Sequence, residues 1–209
     1  MQIVSVNVGT PTIIRRAGRE ILTGIFKAPL QGPVVVRTLN LDGDKQADLK
    51  VHGGIYKAVY AYPAEHYPFW GSIYPELELR WGSFGENLTT VGMNESAVCV
   101  GDRFSVGTAI LQVTQPRRPC FKLAAKFDDD EIIDTFSASG RSGIYFSVVR
   151  EGKLQAGDEM ELVHRDPERF SIADMLQLYS RPNRETVERA LRVETMPPGL
   201  RQRLKNLKG

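Results

Sequence analysis

Up to about residue 164 the chain runs in short apolar stretches broken by Gly, Pro and Asp, and beyond Glu168 it changes to helical periodicity with almost no Gly. That change of pattern constrains the fold more than any other feature. Ile3-Val4-Ser5-Val6-Asn7-Val8 alternates apolar and polar with period two, the spacing of a half-buried strand. Val34-Val35-Val36 leads into an alternating Thr38-Leu39-Asn40-Leu41 that stops at Asp42-Gly43-Asp44, and Ala58-Val59-Tyr60-Ala61-Tyr62 is an apolar, aromatic run ended by Pro63. Asp102–Val106 and Ala109–Thr114 flank Gly107-Thr108 and read as a tight hairpin; Gly143–Val149 and Glu159–Val163, joined through Arg150-Glu151-Gly152-Lys153, read as another. Many short strands with Gly and Asp turns predict a mainly β barrel or sandwich rather than a βαβ sheet. Two short helices interrupt it, over about 121–127 and 129–137, the second opened by Asp128-Asp129-Asp130-Glu131. That acidic run suits a helix N-terminus and solvent better than a metal.

Arg165-Asp166-Pro167-Glu168 reads as a linker, dividing the chain into a domain over 1–165 and a small helical one over 166–209. Three helices are expected in the second. Ile172, Met175, Leu176 and Tyr179 form the first stripe, with Ser171-Ile172-Ala173-Asp174 as a capping box. Pro182-Asn183 breaks the chain before a second stripe of Val187, Ala190 and Leu191; Pro197-Pro198-Gly199 breaks it again before Leu200, Leu204 and Leu207. Residues 165–209 hold ten basic and six acidic side chains, a balance of +4. The plain expectation is an appendage packed over the rest of the fold, with a helix-turn-helix module as the other reading.

The whole chain carries 27 basic and 25 acidic residues, a net +2 that announces neither a nucleic-acid nor a membrane partner. No apolar run approaches the roughly 20 residues of a membrane helix. The start MQIVSVNVGTP lacks a secretory signal, and two cysteines, Cys99 and Cys120, make no disulfide framework. The expected compartment is a reducing cytoplasm, where a thiol can have a chemical task.

Three segments carry candidate chemistry. In Gln115-Pro116-Arg117-Arg118-Pro119-Cys120-Phe121-Lys122, two prolines fix the backbone around a thiol with three cations nearby. Cations and a helix N-terminus favour thiolate, the form that attacks electrophiles or binds a soft metal. Cys99, inside Ser96-Ala97-Val98-Cys99-Val100, reads as core. In Asp48-Leu49-Lys50-Val51-His52-Gly53-Gly54-Ile55-Tyr56-Lys57, two glycines after a histidine permit a left-handed turn or a close ligand approach, and Lys57 sets a cation at the rim. Phe84-Gly85-Glu86-Asn87-Leu88-Thr89-Thr90 gathers carboxylate, amide and hydroxyl groups at a turn suited to a polar heterocycle or a phosphate. His66 and His164 show no metal-ligand spacing, which argues against zinc. The usual nucleotide phosphate signatures are absent.

In order, DLKVHGGIYKAVYAY, GSFGENLTT, VGDRF and QPRRPCFKL resemble the MOSC family, domains related to the C-terminal part of molybdenum cofactor sulfurase. The tail from about Ser171 to Leu207 is similar to the three-helix extension of the family's YiiM-type members. The resemblance implies a mixed β-barrel holding molybdenum cofactor (Mo-molybdopterin), with Cys120 as the molybdenum ligand. Arg117, Arg118 and Lys57 would counter the cofactor's negative charge, and His52, Gly53, Gly54, Gly85, Glu86, Asn87 and Thr89 would line the pterin pocket. It further implies a reductase that removes oxygen from N-hydroxylated bases such as 6-hydroxylaminopurine, or from amidoxime-like compounds, by transfer to molybdenum. No flavin or nicotinamide signature is present, so electrons would come from a separate flavoprotein reductase. Three other readings remain open: a module that carries sulfur as a Cys120 persulfide, a cysteine hydrolase using Cys120 with His52 and Asn87 or Asp48, and a nucleic-acid binder using the basic tail.

Overall fold

The computed structural model describes residues 1–45 and 53–207. Five strands come first: β1 (Gln2–Val8), β2 (Thr12–Arg16), β3 (Arg19–Thr23), β4 (Ala28–Pro29) and β5 (Val34–Val36). Then follow β6 (Val59–Pro63), α1 (Tyr67–Ile73), β7 (Leu88–Val91), β8 (Arg103–Val106) and β9 (Ala109–Pro116). Next come α2 (Phe121–Phe127), α3 (Ile132–Ser139), β10 (Ile144–Arg150), β11 (Gly152–Leu154) and β12 (Met160–His164). The chain ends in α4 (Ile172–Ser180), α5 (Arg184–Arg192) and α6 (Pro198–Leu207).

Eight strands form one mixed sheet in the order β12-β8-β9-β10-β6-β7-β1-β4. Every pairing in it is antiparallel except β6 with β7. The connection between those two runs through α1, the kind of crossover that parallel neighbours require. The strand order has two ends, β12 and β4, and among the described residues no ladder closes it into a barrel. A bridge from Gln2 to Glu159, with Ile3 N–H donating to Asp158 O (3.0 Å) and Gly157 N–H to Ile3 O (2.8 Å), ties the start of β1 to the approach to β12.

The first expected hairpin forms as β8 and β9. The second does not: β10 already has β9 on one edge and β6 on the other, so β12 pairs with β8 instead. The intervening β11 crosses to β5. The alternation over Thr38–Leu41 is a turn rather than a strand, with Arg37 N–H donating to Asn40 O at 2.8 Å and Leu41 bridging back to Val36. The acidic run holds more than a helix end. Asp129 caps the Glu131 N–H (2.8 Å) and accepts from Tyr74 (2.6 Å), while Asp128 and Asp130 take Arg16 from the β2–β3 hairpin.

Two apolar cores flank the large sheet. One is mainly aliphatic and runs from Ile3, Val6, Val59, Ala61, Leu111 and Phe146 without a break into Ile172, Met175, Leu178, Val187, Ala190 and Leu204 of the last three helices. The other is aromatic: Tyr60, Tyr62, Tyr67, Trp70, Phe84, Phe127 and Phe136 pack among α1, α2 and α3. The last three helices therefore share a core with the sheet. The expected linker is pinned as well, because Arg165 pairs with Asp102 (3.0 Å) and the Asp166 N–H donates to the same carboxylate (3.0 Å).

In α4 the inward positions are Ile172, Met175 and Leu178, with Leu176 and Tyr179 half-buried. Its capping box is formed by Ser171 and Asp174. Asn183 caps α5 by accepting from the Thr186 N–H at 2.9 Å. Pro198 opens α6 rather than only ending what precedes it, as a proline at a first helical position can. The Leu207 side chain lies outside the described residues.

Candidate functional site

A cleft enclosing about 660 Å³, its open mouth included, lies where β6, β10, the end of β3 and the segment before α2 converge. Its basic lining is Lys27, Lys45, Lys57, Arg117, Arg118 and Lys122, against the single carboxylate of Asp44 among the described residues. The Cys120 thiol opens into it, half-buried. Tyr60, Tyr145, Asn87, Gly85, Thr23, Gly24 and Ile25 complete the wall.

Each part has a local cause. Pro116 and Pro119 bias the residues before them to extended backbone, and Cys120 itself is extended (φ −143°, ψ 169°). Tyr60 and Tyr145 face each other across β6 and β10, ring centroids 5.0 Å apart. The Tyr60 hydroxyl donates to Ser142 O at 2.8 Å. Burial raises both phenols, most strongly Tyr60, so both stay protonated at neutral pH.

Arg117 is buried, with its guanidinium 4.9 Å from the Tyr60 ring centre and 5.8 Å from that of Phe136, and it donates to Phe84 O. Burial opposes its charge, but Tyr60, Tyr145 and Cys120 outweigh that and hold its pKa above the usual value. Lys27 is buried against Asp44, and desolvation pulls it below the ordinary lysine range despite that partner. Behind the wall, Lys126 donates to Ile25 O (3.2 Å) and Gly82 O (3.0 Å), and burial lowers it to about 8.

Of the sequence candidates, the structure brings Cys120, Lys57, Gly85, Asn87, Arg117 and Arg118 to this one cleft. Gly53 and Gly54 precede Lys57 on the approach to β6. Gly54 has a φ of +87° with open space where a Cβ would stand, so its backbone, not crowding, requires glycine. Gly85 is required twice over: φ is +76° and a Cβ would sit 2.7 Å from Ile25 Cγ1.

Glu86 and Thr89 lie fully buried behind the lining. Glu86 accepts from the N–H groups of Gly82 (2.8 Å) and Phe84 (3.1 Å) and from the hydroxyls of Thr89 (2.9 Å) and Tyr67, so it shapes the loop that carries Gly85. Asn87 spends its amide on the Tyr60 N–H (3.1 Å) and on Asp44 (2.9 Å). His52 and Asp48 lie outside the described residues.

Sequence reasoning missed Tyr60, Tyr145, Lys27, Lys45 and Asp44 as parts of the cleft. Tyr60 sits in a run that reads as plain buried strand, and Lys27 and Asp44 meet only through the tertiary fold. Cys99 is buried at 5% exposure, and Arg165 reaches its sulfur at 3.3 Å. Burial raises that thiol, against the pull of Arg165. His66 pairs with Glu95 (2.9 Å) away from the cleft.

A mostly antiparallel sheet thus borders a basic cleft lined by a half-buried cysteine. The chain belongs to the MOSC domain family, whose model matches residues 48–161, and it is of the YiiM type. YiiM from Geobacillus stearothermophilus superposes with a TM-score of 0.83 at 33% identity, over 100% of this chain and 99% of that one. The Bacillus subtilis protein YflK is 41% identical over 191 residues, 90% of this chain and 86% of its own. A Gibberella moniliformis protein named Reductase is 35% identical over 161 residues, 76% of this chain but 28% of its own length.

Proposed function

We propose that the cleft binds molybdenum cofactor, with Cys120 as the protein's ligand to the metal, and that the protein is a reductase of N-hydroxylated compounds. The observation that carries this is the pairing of one open thiol with six cations. Among the described residues no group of three or more His, Cys, Asp or Glu gathers as a metal cage. A lone soft thiolate fits a metal that arrives already held by sulfur of an organic cofactor, and the cations fit a cofactor that brings negative charge.

When bound, the cofactor supplies a two-electron reduction. Everything else falls to the chain. Cys120 anchors the metal, and Lys45, Lys57, Arg118 and Lys122 neutralise anionic groups. Arg117, fixed by Tyr60 and Phe136, provides charge that does not have to reorganise. The Tyr145 ring gives a flat wall beside the thiol, and its protonated phenol can donate to an oxygen in the cleft.

N-hydroxylated bases such as 6-hydroxylaminopurine and amidoxime-like compounds are the substrates we infer. As electron donor we propose a separate flavoprotein reductase. We place the reaction in the cytoplasm; among the described residues no helix is long and apolar enough to cross a membrane.

The test is elemental analysis of wild type and Cys120→Ala from a cofactor-competent host, followed by turnover with an artificial electron donor. Near-stoichiometric molybdenum in wild type, its loss in the variant, and amine formed from an N-hydroxylated base are expected. Molybdenum bound without turnover would move the sulfur-carrying persulfide of Cys120 to first place. No molybdenum, from a host shown to load another molybdoenzyme, would end the cofactor reading.

A further inference from the structure

We propose that Tyr179, on helix α4, is a positioning residue for the cleft cation Arg118, so that the C-terminal helices help to hold the anion bound beside Cys120. This rests on the reading of the cleft given above. Arg118 is exposed and lines the cleft, and its guanidinium carbon lies 5.5 Å from the Tyr179 ring centre. Its neighbour Arg117 is held from three sides by Tyr60, Phe136 and Phe84 O. An exposed arginine without such a hold spreads over many rotamers. Stacking a guanidinium on an aromatic face restrains it while leaving its in-plane N–H donors free for an oxyanion.

The ring is itself well held. Ser171 and Asp174 cap α4, and Ile172, Met175 and Leu178 are sealed in the aliphatic core. Helix α4 also packs on β9, the strand that ends two residues before Arg118. Arg203 of α6 approaches the same phenol. Burial pushes Tyr179 up to about 12, against the pull of Arg118 and Arg203 together. The tail thus presents one aromatic face, from a fixed helix, to a cation for which no other such ring contact occurs among the described residues.

The experiment measures molybdenum per chain during dialysis of the loaded protein. It compares wild type with Tyr179→Phe, Tyr179→Leu, Arg118→Gln and the double variant Tyr179→Leu/Arg118→Gln. Tyr179→Leu should lose metal about 3-fold faster, the size expected of one exposed cation–π contact, while Tyr179→Phe, which keeps the ring, should match wild type. Arg118→Gln should lose metal faster still, and the double variant no faster than Arg118→Gln alone. Should Tyr179→Leu fail to fold, Arg118→Lys, at an exposed position, keeps the charge without the planar stack and should lose metal faster than wild type.

Retention by Tyr179→Leu equal to wild type, or a Tyr179 effect that persists undiminished in the Arg118→Gln background, overturns the inference and leaves the cofactor reading standing. In the fallback, wild-type retention by Arg118→Lys overturns it likewise. Wild type that holds no molybdenum overturns both.

Discussion

Strand β6 serves two cores at once, and they are chemically unlike. Val59 and Ala61 go to the aliphatic cluster, Tyr60 and Tyr62 to the aromatic one. The aliphatic side runs from the sheet into the last three helices and holds the fold together. The aromatic side carries hydroxyls and borders Arg117, Lys126 and Glu86. Its rings can bury charge because they offer π-faces to cations and hydroxyls to carboxylates. Aliphatic side chains offer neither. The cleft opens on the aromatic side, where the Tyr60 and Phe136 rings hold Arg117.

The largest effect that would sharpen this contrast is Phe104→Ala. Phe104 is fully buried and meets Phe146 edge-on at 6.4 Å in the aliphatic core. Its loss should cost about 3–5 kcal/mol in urea unfolding, while molybdenum per folded chain stays at the wild-type level. A site lost along with stability would show that the two cores are not separable.

Lys126 tests the aromatic side. Its value of about 8 in the folded chain lies below the ordinary 10.5. Between those values the unfolded chain binds more protons, so stability rises with pH through that window, and the burial penalty is fully present below it. The gain should be on the order of 3 kcal/mol between neutral and alkaline pH. In Lys126→Met that share of the pH slope should vanish. An unchanged slope would mean that the ammonium is not desolvated where it clamps Ile25 O and Gly82 O.

Glu86→Gln comes next. The carboxylate accepts from four donors, and an amide turns one of its two ends into a donor that faces them. A cost of about 2 kcal/mol is expected. With the Glu86 charge gone, Lys126 should fall further in the folded chain, so the rise with pH should begin at lower pH and grow, because that charge supports the ammonium.

These residues also show how far the sequence could be read. Period-two alternation in Ile3–Val8 and the tail's helical stripes are local signals, and the strand and helices form there. The pairing of β12 with β8 was not legible, because partner choice depends on which edges other strands have already taken. At the site, Pro-Arg-Arg-Pro-Cys drew attention through the chemistry of a thiol among cations. Lys27 and Asp44 gave no signal, since their meeting depends on how the chain turns back after β5. Glu86 and Thr89 looked like ligand groups because their polarity is visible in sequence, but their burial behind the wall is not.

The smallest effect concerns how the two sides communicate. Ser171 accepts the Asp174 N–H at 2.9 Å, and Asp174 accepts the Ser171 N–H at 3.0 Å. Ser171→Ala should cost about 1 kcal/mol, read as a shift in the urea midpoint with an unchanged slope. The fraying it permits is at the first turn of α4, while Tyr179 lies near the other end, with Met175 and Leu178 buried between them. Molybdenum retention should therefore not move. If it does, the orientation of α4 as a whole, not the local seat of one ring, connects the aliphatic core to the cleft.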